Sequence, residues 1–323
     1  MSTIEPIPMK FRVPEIAFPM GWYRVADAAE IGHDTLKAVS YLNQQLIVYR
    51  TKSGAAQVAD AYCPHLGAHL ASHDGCIKDG AIVCPFHKWS WDGASGRCAG
   101  IPYSAVPPLE GLTLTLYPTR EVDGMVLMWY HPQGAEPDFE PYASTALQRD
   151  AWILFDSHAW VSTSPYCDIF ENLFDTAHIV QLHGAGKMPV MRTMEPMPHG
   201  LYVDYEMDPE AEEFGIGKLE INFTGVTAIH QLFEGPGWAT NFIIASTPID
   251  NERFIQTVRL YVKDLGSSLF NEQIGRPWIE RFKYEVEQDF KVLDYKKHLP
   301  KPRLCGGDGP IYQYRAYASR YYV

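Results

Sequence analysis

The sequence has no long hydrophobic run, a shortage of positive charge and few cysteines, and each shortage removes a class of protein. No stretch approaches the roughly 18 apolar residues that a membrane-spanning helix needs; the longest candidates are short runs such as Met125 to Tyr130. Lys and Arg number 27 against 39 Asp and Glu, a net charge of -12, so a nucleic-acid groove would work against the overall field. The first 22 residues are interrupted by Pro6, Pro8, Pro14 and Pro19 and carry neither a basic start nor an apolar stretch of signal-peptide length. These shortages lead to the expectation of a cytoplasmic protein with no membrane span and no nucleic-acid partner. In such a chain the six cysteines read as metal ligands and buried thiols, not as a disulfide framework. No internal repeat or low-complexity segment occurs.

What is present describes a folded chain of two domains. Hydrophobic residues make up 46% and charged residues 20%, close to ordinary globular composition, and 323 residues suffice for two cores. From Leu36 to Trp129 short apolar runs such as Leu46 to Tyr49 alternate with turns such as Asp92-Gly93 and Asp123-Gly124, the pattern of an all-β module. The Pro, Gly and acid-rich stretch from His131 to Asp138 reads as a linker, which sets the expected domains at 1–135 and 136–323. In the second domain, Ser164-Pro165 predicts a helix start, with Phe170, Leu173, Phe174 and Ala177 at helical spacing up to Gly184. Strand-like runs fill 200–263, among them Lys218 to Phe223, where Leu219, Ile221 and Phe223 alternate with polar residues. A long helix is expected from about Pro277 to Leu293, with Ile279, Phe282, Val286, Phe290 and Leu293 on one face. The fold class is therefore α+β, an all-β N-terminal domain followed by an antiparallel sheet flanked by helices.

Cys63-Pro64-His65 and Cys84-Pro85-Phe86-His87 form two Cys/His pairs separated by 18 residues, each with a proline that stiffens its loop. Two thiolates on one iron and two imidazoles on the other is the Rieske [2Fe-2S] arrangement. In it Cys63 and Cys84 hold one iron and His65 and His87 the other. The same residue types also suit a structural zinc, although zinc fingers usually pair cysteine with cysteine and histidine with histidine. His69, His73 and Cys76 read as non-ligands, and Cys98, Cys167 and Cys305 as buried thiols.

A second group comprises Asn172, Asp175, His178 and His183. On an ideal helix His178 and His183 point about 140° apart, so both can reach one metal only if the helix is broken or widened between them. Gly184-Ala185-Gly186 makes the segment easy to end. Two histidines and one carboxylate make the facial triad of oxygen-activating Fe(II) enzymes. Asp289 lies about 60° from Val286 on the late helix, beside its apolar stripe, where a metal would relieve an otherwise costly carboxylate. Hydrogen-bonded histidines near a core are the alternative for His178 and His183 taken alone.

The stretches Ala61 to Leu70 and Cys84 to Trp89 resemble the two cluster loops of the Rieske oxygenases, with Lys88 departing from the small or polar residue usual there. Glu171 to His178 with His183 resembles the family's iron-binding segment, and Gln288-Asp289 its third ligand. The segments Phe18 to Tyr23, Thr247 to Asp250 and Asp308 to Arg315 are most similar to the branch of 3-ketosteroid 9α-hydroxylases and cholesterol 7-desaturases. The resemblance implies a monooxygenase component with a [2Fe-2S] cluster and a mononuclear Fe(II), using O2. Electrons would come from NAD(P)H through a ferredoxin or flavin reductase. It also implies a head-to-tail homotrimer and places Asn172 and Asp175 in the catalytic site, Asp175 as the bridge from one subunit's cluster to the next subunit's iron. An apolar, steroid-like or polycyclic substrate would be hydroxylated, with desaturation or oxidative demethylation as the alternative outcome of the same iron. A bare electron carrier would have the cluster loops without the second domain.

Overall fold

The computed structural model describes residues 5–106, 110–207 and 216–323. Its contacts divide into two units, Trp22–Asp138 and, separately, Phe139–Val323 together with the residues up to Gly21. The N-terminal stretch therefore belongs with the second unit, which corrects its expected grouping with the cluster domain. The reason is hydrogen bonding over a long sequence separation. Met9 N donates to Glu252 Oε2 at 2.7 Å, the buried Arg12 guanidinium donates to Asp294 O at 2.5 Å, and Met20 N donates to Tyr321 O at 2.7 Å.

The Trp22–Asp138 unit is built from short antiparallel strands. One four-stranded sheet orders Lys37–Tyr41, Gln44–Arg50, Ala56–Asp60 and Leu116–Tyr117. A second orders Cys76–Lys78, Ala81–Val83, Ser90–Asp92 and Cys98–Gly100. Ile47, Ile82, Trp91 and Leu70 form one buried cluster with Cys63 and Cys84, so the two cluster loops are anchored at their cysteines.

The larger unit carries a seven-stranded antiparallel sheet. Six strands run as a meander from Val190–Met197 to Phe254–Lys263, and Trp152–Ser162 pairs with the last of them. Leu219, Ile221 and Phe223 are buried, as their alternation with polar residues demands. The helix Ser268–Leu293 packs on this sheet, with Phe282 stacked on Phe242 at 4.5 Å. The C-terminal helix Ile311–Ala318 stacks Tyr314 on Phe174 at 4.6 Å.

Two helix expectations need correction. The long helix starts at Ser268, not near Pro277, and Pro277 lies inside it. An interior proline costs about 3 kcal/mol, but the preceding turns are held by tertiary contacts. Asn271 is buried, accepts from Leu265 N at 3.0 Å and donates to Asp264 at 3.0 Å. Gly275 lets Phe155 approach so closely that a Cβ would sit 2.6 Å from its ring. The helix expected from Ser164 is instead a chain of short pieces, 3-10 turns at Tyr166–Asp168 and Glu171–Phe174 and an α-helix only at Thr176–Gln181. Ser164 makes no cap; its hydroxyl donates to Asp294 at 2.8 Å.

Candidate metal centres

The two loops of the small unit share one backbone design. Cys63 N donates to Ala68 O at 2.9 Å and Gly67 N returns to Cys63 O at 2.9 Å. Cys84 N donates to Trp89 O at 2.8 Å and Lys88 N returns to Cys84 O at 3.1 Å. Both cysteines are free and buried. The rings of His65 and His87 lie 4.8 Å apart, and Trp89 stacks on His65 at 4.2 Å. His87 Nδ1 is buried without a protein partner among the described residues. Burial pushes the Cys63 thiol up to about 11, with Cys84 beside it adding to the rise. A thiol raised in this way holds negative charge only beside a cation, so the donor set fits an iron cluster.

In the large unit, ligand atoms of His178, His183 and Asp289 lie within 4.8 Å of one another. Asp289 Oδ1 is 3.1 Å from His183 Nε2 and 3.9 Å from His178 Nε2. The break required between the histidines is visible in the backbone. His183 N donates to His178 O, five residues back, at 3.4 Å. Gly184, at φ 73, then closes the turn through Gly184 N to Val180 O and Ala185 N to Ile179 O, a left-handed C-terminal cap one residue wider than the usual glycine cap. His178 Nδ1 donates to the backbone carbonyl of Asp175, which leaves Nε2 directed to the centre. It is the main chain of Asp175 that orients His178. Asn172 Nδ2 stands 3.2 Å from His178 Nε2. His183 is held above its ordinary value: burial opposes the proton, but the hydrogen bond and charge of Asp289 outweigh it. Two imidazole nitrogens and one carboxylate at these separations suit a facial mononuclear iron.

These groups open on a cavity of about 190 Å³. Its walls are Phe170, Leu173 and Ile179 from the histidine segment, Leu219, Ile221, Ile229 and Ile244 from the sheet, and Trp278, Phe282 and Val286 from the long helix. The helix wall went unassigned in the sequence, although the stripe containing Phe282 and Val286 was its signal.

Sequence reasoning also missed a buried charge network. Fully buried Asp168 accepts from His298 Nδ1 at 2.5 Å and lies 3.1 Å from Lys296 Nζ, while Cys167 Sγ is 3.4 Å from the same His298 nitrogen. Glu171 pairs with Arg315 at 2.5 Å. Lys296 and Arg315 already balance the two carboxylates, so the group reads as an ion-pair anchor for the 166–171 turns.

Residues 21–117 match the Rieske [2Fe-2S] domain, and residues 128–322 match the 3-ketosteroid 9alpha-hydroxylase C-terminal domain. The chain belongs to the Rieske oxygenases that carry this catalytic domain. It is the oxygenase component of an O2-dependent oxidoreductase, with a [2Fe-2S] cluster and a non-heme iron, and it works with a separate reductase or ferredoxin. It is 28% identical over 331 residues to cholesterol 7-desaturase nvd 1 of Ciona intestinalis, covering 95% of this chain and 69% of that one. It is 27% identical over 330 residues to the 3-ketosteroid-9-alpha-monooxygenase oxygenase component of Rhodococcus rhodochrous, covering 95% and 84%. Among solved structures, a Pseudomonas putida CBB5 NdmA QL mutant with caffeine superposes with a TM-score of 0.73 at 17% identity, over 93% of this chain and 89% of that one. Dicamba monooxygenase bound to dicamba gives 0.68 at 17% identity, over 93% and 96%. Both show the shared fold. Among the described residues no helix is long and apolar enough to cross a membrane.

Proposed function

We propose that this chain hydroxylates an apolar, polycyclic or steroid-like substrate held against a mononuclear iron. Cys63, His65, Cys84 and His87 hold the cluster, and His178, His183 and Asp289 hold the iron. The observation that carries the reading is the convergence of these last three side chains on a cavity walled by aliphatic and aromatic groups. When bound, the cluster supplies electrons and the iron supplies the oxygen-activating chemistry. The chain does the rest. The carbonyl of Asp175 sets the tautomer of His178, Asn172 places an amide beside its Nε2, and the apolar walls exclude water and bind substrate by burial.

The Asp175 carboxylate lines a separate cavity with Lys296, Lys297 and Arg315. That supports its role as the link through which a neighbouring subunit's cluster histidine is bridged to the iron histidine, in a cytoplasmic homotrimer whose head-to-tail contacts close into a ring. Sedimentation of an active monomer at assay concentration removes the trimer.

The relatives named above include both a desaturase and a monooxygenase, so desaturation is the second reading. Turnover of a steroid panel with reductase, NAD(P)H and 18O2 separates them. Hydroxylation puts one 18O into the product, and desaturation forms a double bond with none. A panel that yields no product of either kind sinks the substrate class.

A further inference from the structure

Several of the polar side chains around the cavity are engaged by the protein. Tyr205 donates to Leu173 O at 2.8 Å, Gln256 Oε1 accepts from Ser246 at 3.3 Å, and Arg281 pairs with Glu285 at 2.7 Å. Gln231 differs. It lies on the strand Ala228–Gly235, lines the cavity, is only 5% exposed, and its Oε1 is buried with no partner among the described residues. Strand register explains why the sheet cannot satisfy it: its cross-strand neighbours are Ile221 on one side and Phe242 on the other. On its own strand the residues facing the same way, Ile229 and Phe233, are apolar too. A buried amide without a partner is costly, so a polar side chain kept at this position points to a ligand that meets it.

We infer that Gln231 is the specificity-determining residue of the cavity, selecting an apolar ring compound that carries one neutral oxygen substituent, a ketone or a hydroxyl. A ketone accepts from the amide nitrogen, and a hydroxyl donates to the amide oxygen; a half-turn of the amide serves either. Charged substituents gain nothing here, because Arg281 and Glu285 neutralise one another. Gln231 stands on the sheet wall, whereas the iron-facing atoms come from the 172–183 segment and the long helix, so the anchor and the reacting end are held by different walls. Anchoring one end of a rigid ring compound fixes which carbon meets the iron.

The inference rests on the oxygenase reading of this cavity, and binding separates the two. Holoenzyme without reductant is titrated by equilibrium dialysis with three compounds of one steroid shape, a 3-ketone, its 3-alcohol and the 3-deoxy hydrocarbon, and with a smaller two-ring set of the same kind. The parent binds the ketone or the alcohol about tenfold more tightly than the hydrocarbon, the worth of one buried neutral hydrogen bond. Gln231→Leu and the longer, unbranched Gln231→Met abolish that difference, leave hydrocarbon binding unchanged, and keep parental cluster absorption and iron content. The inference is overturned if the parent binds no member of either set or binds all alike, or if the variants weaken all three equally. It is also overturned if they bind the oxygenated compounds as the parent does, the result expected of an amide satisfied by water. Failure of the hydroxylase reading looks different: the binding preference and its loss persist, but turnover inserts no oxygen.

Discussion

Lys88 occupies in the second cluster loop the left-handed backbone position that Gly67 occupies in the first, with φ 59 against 72. Each donates its N–H to the carbonyl of the cysteine four residues earlier. Left-handed backbone is free for glycine and costs a side-chain-bearing residue on the order of 1 kcal/mol. The Lys88 ammonium meets Asp74 at 2.5 Å on the surface, a contact that water and salt screen. Lys88→Gly therefore raises the temperature at which cluster absorption is lost, by a few degrees at most, and Lys88→Val lowers it. A lower melting temperature for the glycine variant would show that the Asp74 contact outweighs the backbone.

The two metal sites fail separately. Cys84→Ser loses the cluster's absorption and paramagnetic signal together with all turnover, since serine is a poor substitute for thiolate on iron. His183→Ala keeps the cluster spectrum and loses the mononuclear iron and product formation. Iron analysis per chain decides: an unchanged value in His183→Ala removes that ligand from the assignment.

Asp175→Asn keeps side-chain shape and the backbone carbonyl that orients His178, and removes only the charge. Both metal contents stay near those of the parent, while transfer from a pre-reduced cluster to the iron slows greatly in single turnover. Cluster reoxidation at the parental rate with substrate and O2 present rules out the bridging role.

Asp168 sets an acid limit on the large unit. Burial raises its carboxyl, but the hydrogen bond from His298 and the charge of Lys296 outweigh that and hold it below the ordinary value. A carboxylate depressed in the folded state contributes stability above its unfolded value, about pH 4, and loses that contribution as pH falls through the folded value. Asp168→Asn should cost about 2 kcal/mol at pH 7, and the gap to the parent should narrow on acidification below about pH 4. Urea midpoints followed by far-ultraviolet circular dichroism measure this. A gap independent of pH shows that Asp168 is not the titrating group.

The features legible in the sequence are those set by neighbours along the chain. The two Cys-Pro loops carry their own turn chemistry, and the alternation in Lys218 to Phe223 names its buried face without knowledge of the partner strands. The five-residue interval between His178 and His183 likewise demands a local break, because helical geometry permits no other way of meeting. Tertiary structure decided what depends on groups distant in sequence. Ser164 is a good cap by residue type, yet Asp294, 130 residues away, takes its hydroxyl. Pro277 reads as a helix start, yet the packing of Gly275 on Phe155 carries the helix back to Ser268. Residues 5–21 join the large unit through partners as far off as Asp294. No local pattern marks Gln231, one of several polar residues in its strand, as facing a cavity; that follows only once Ile221 and Phe242 are paired beside it. Local propensity acts through backbone sterics and short-range hydrogen bonds, whereas burial and polar satisfaction belong to whichever groups the fold brings together.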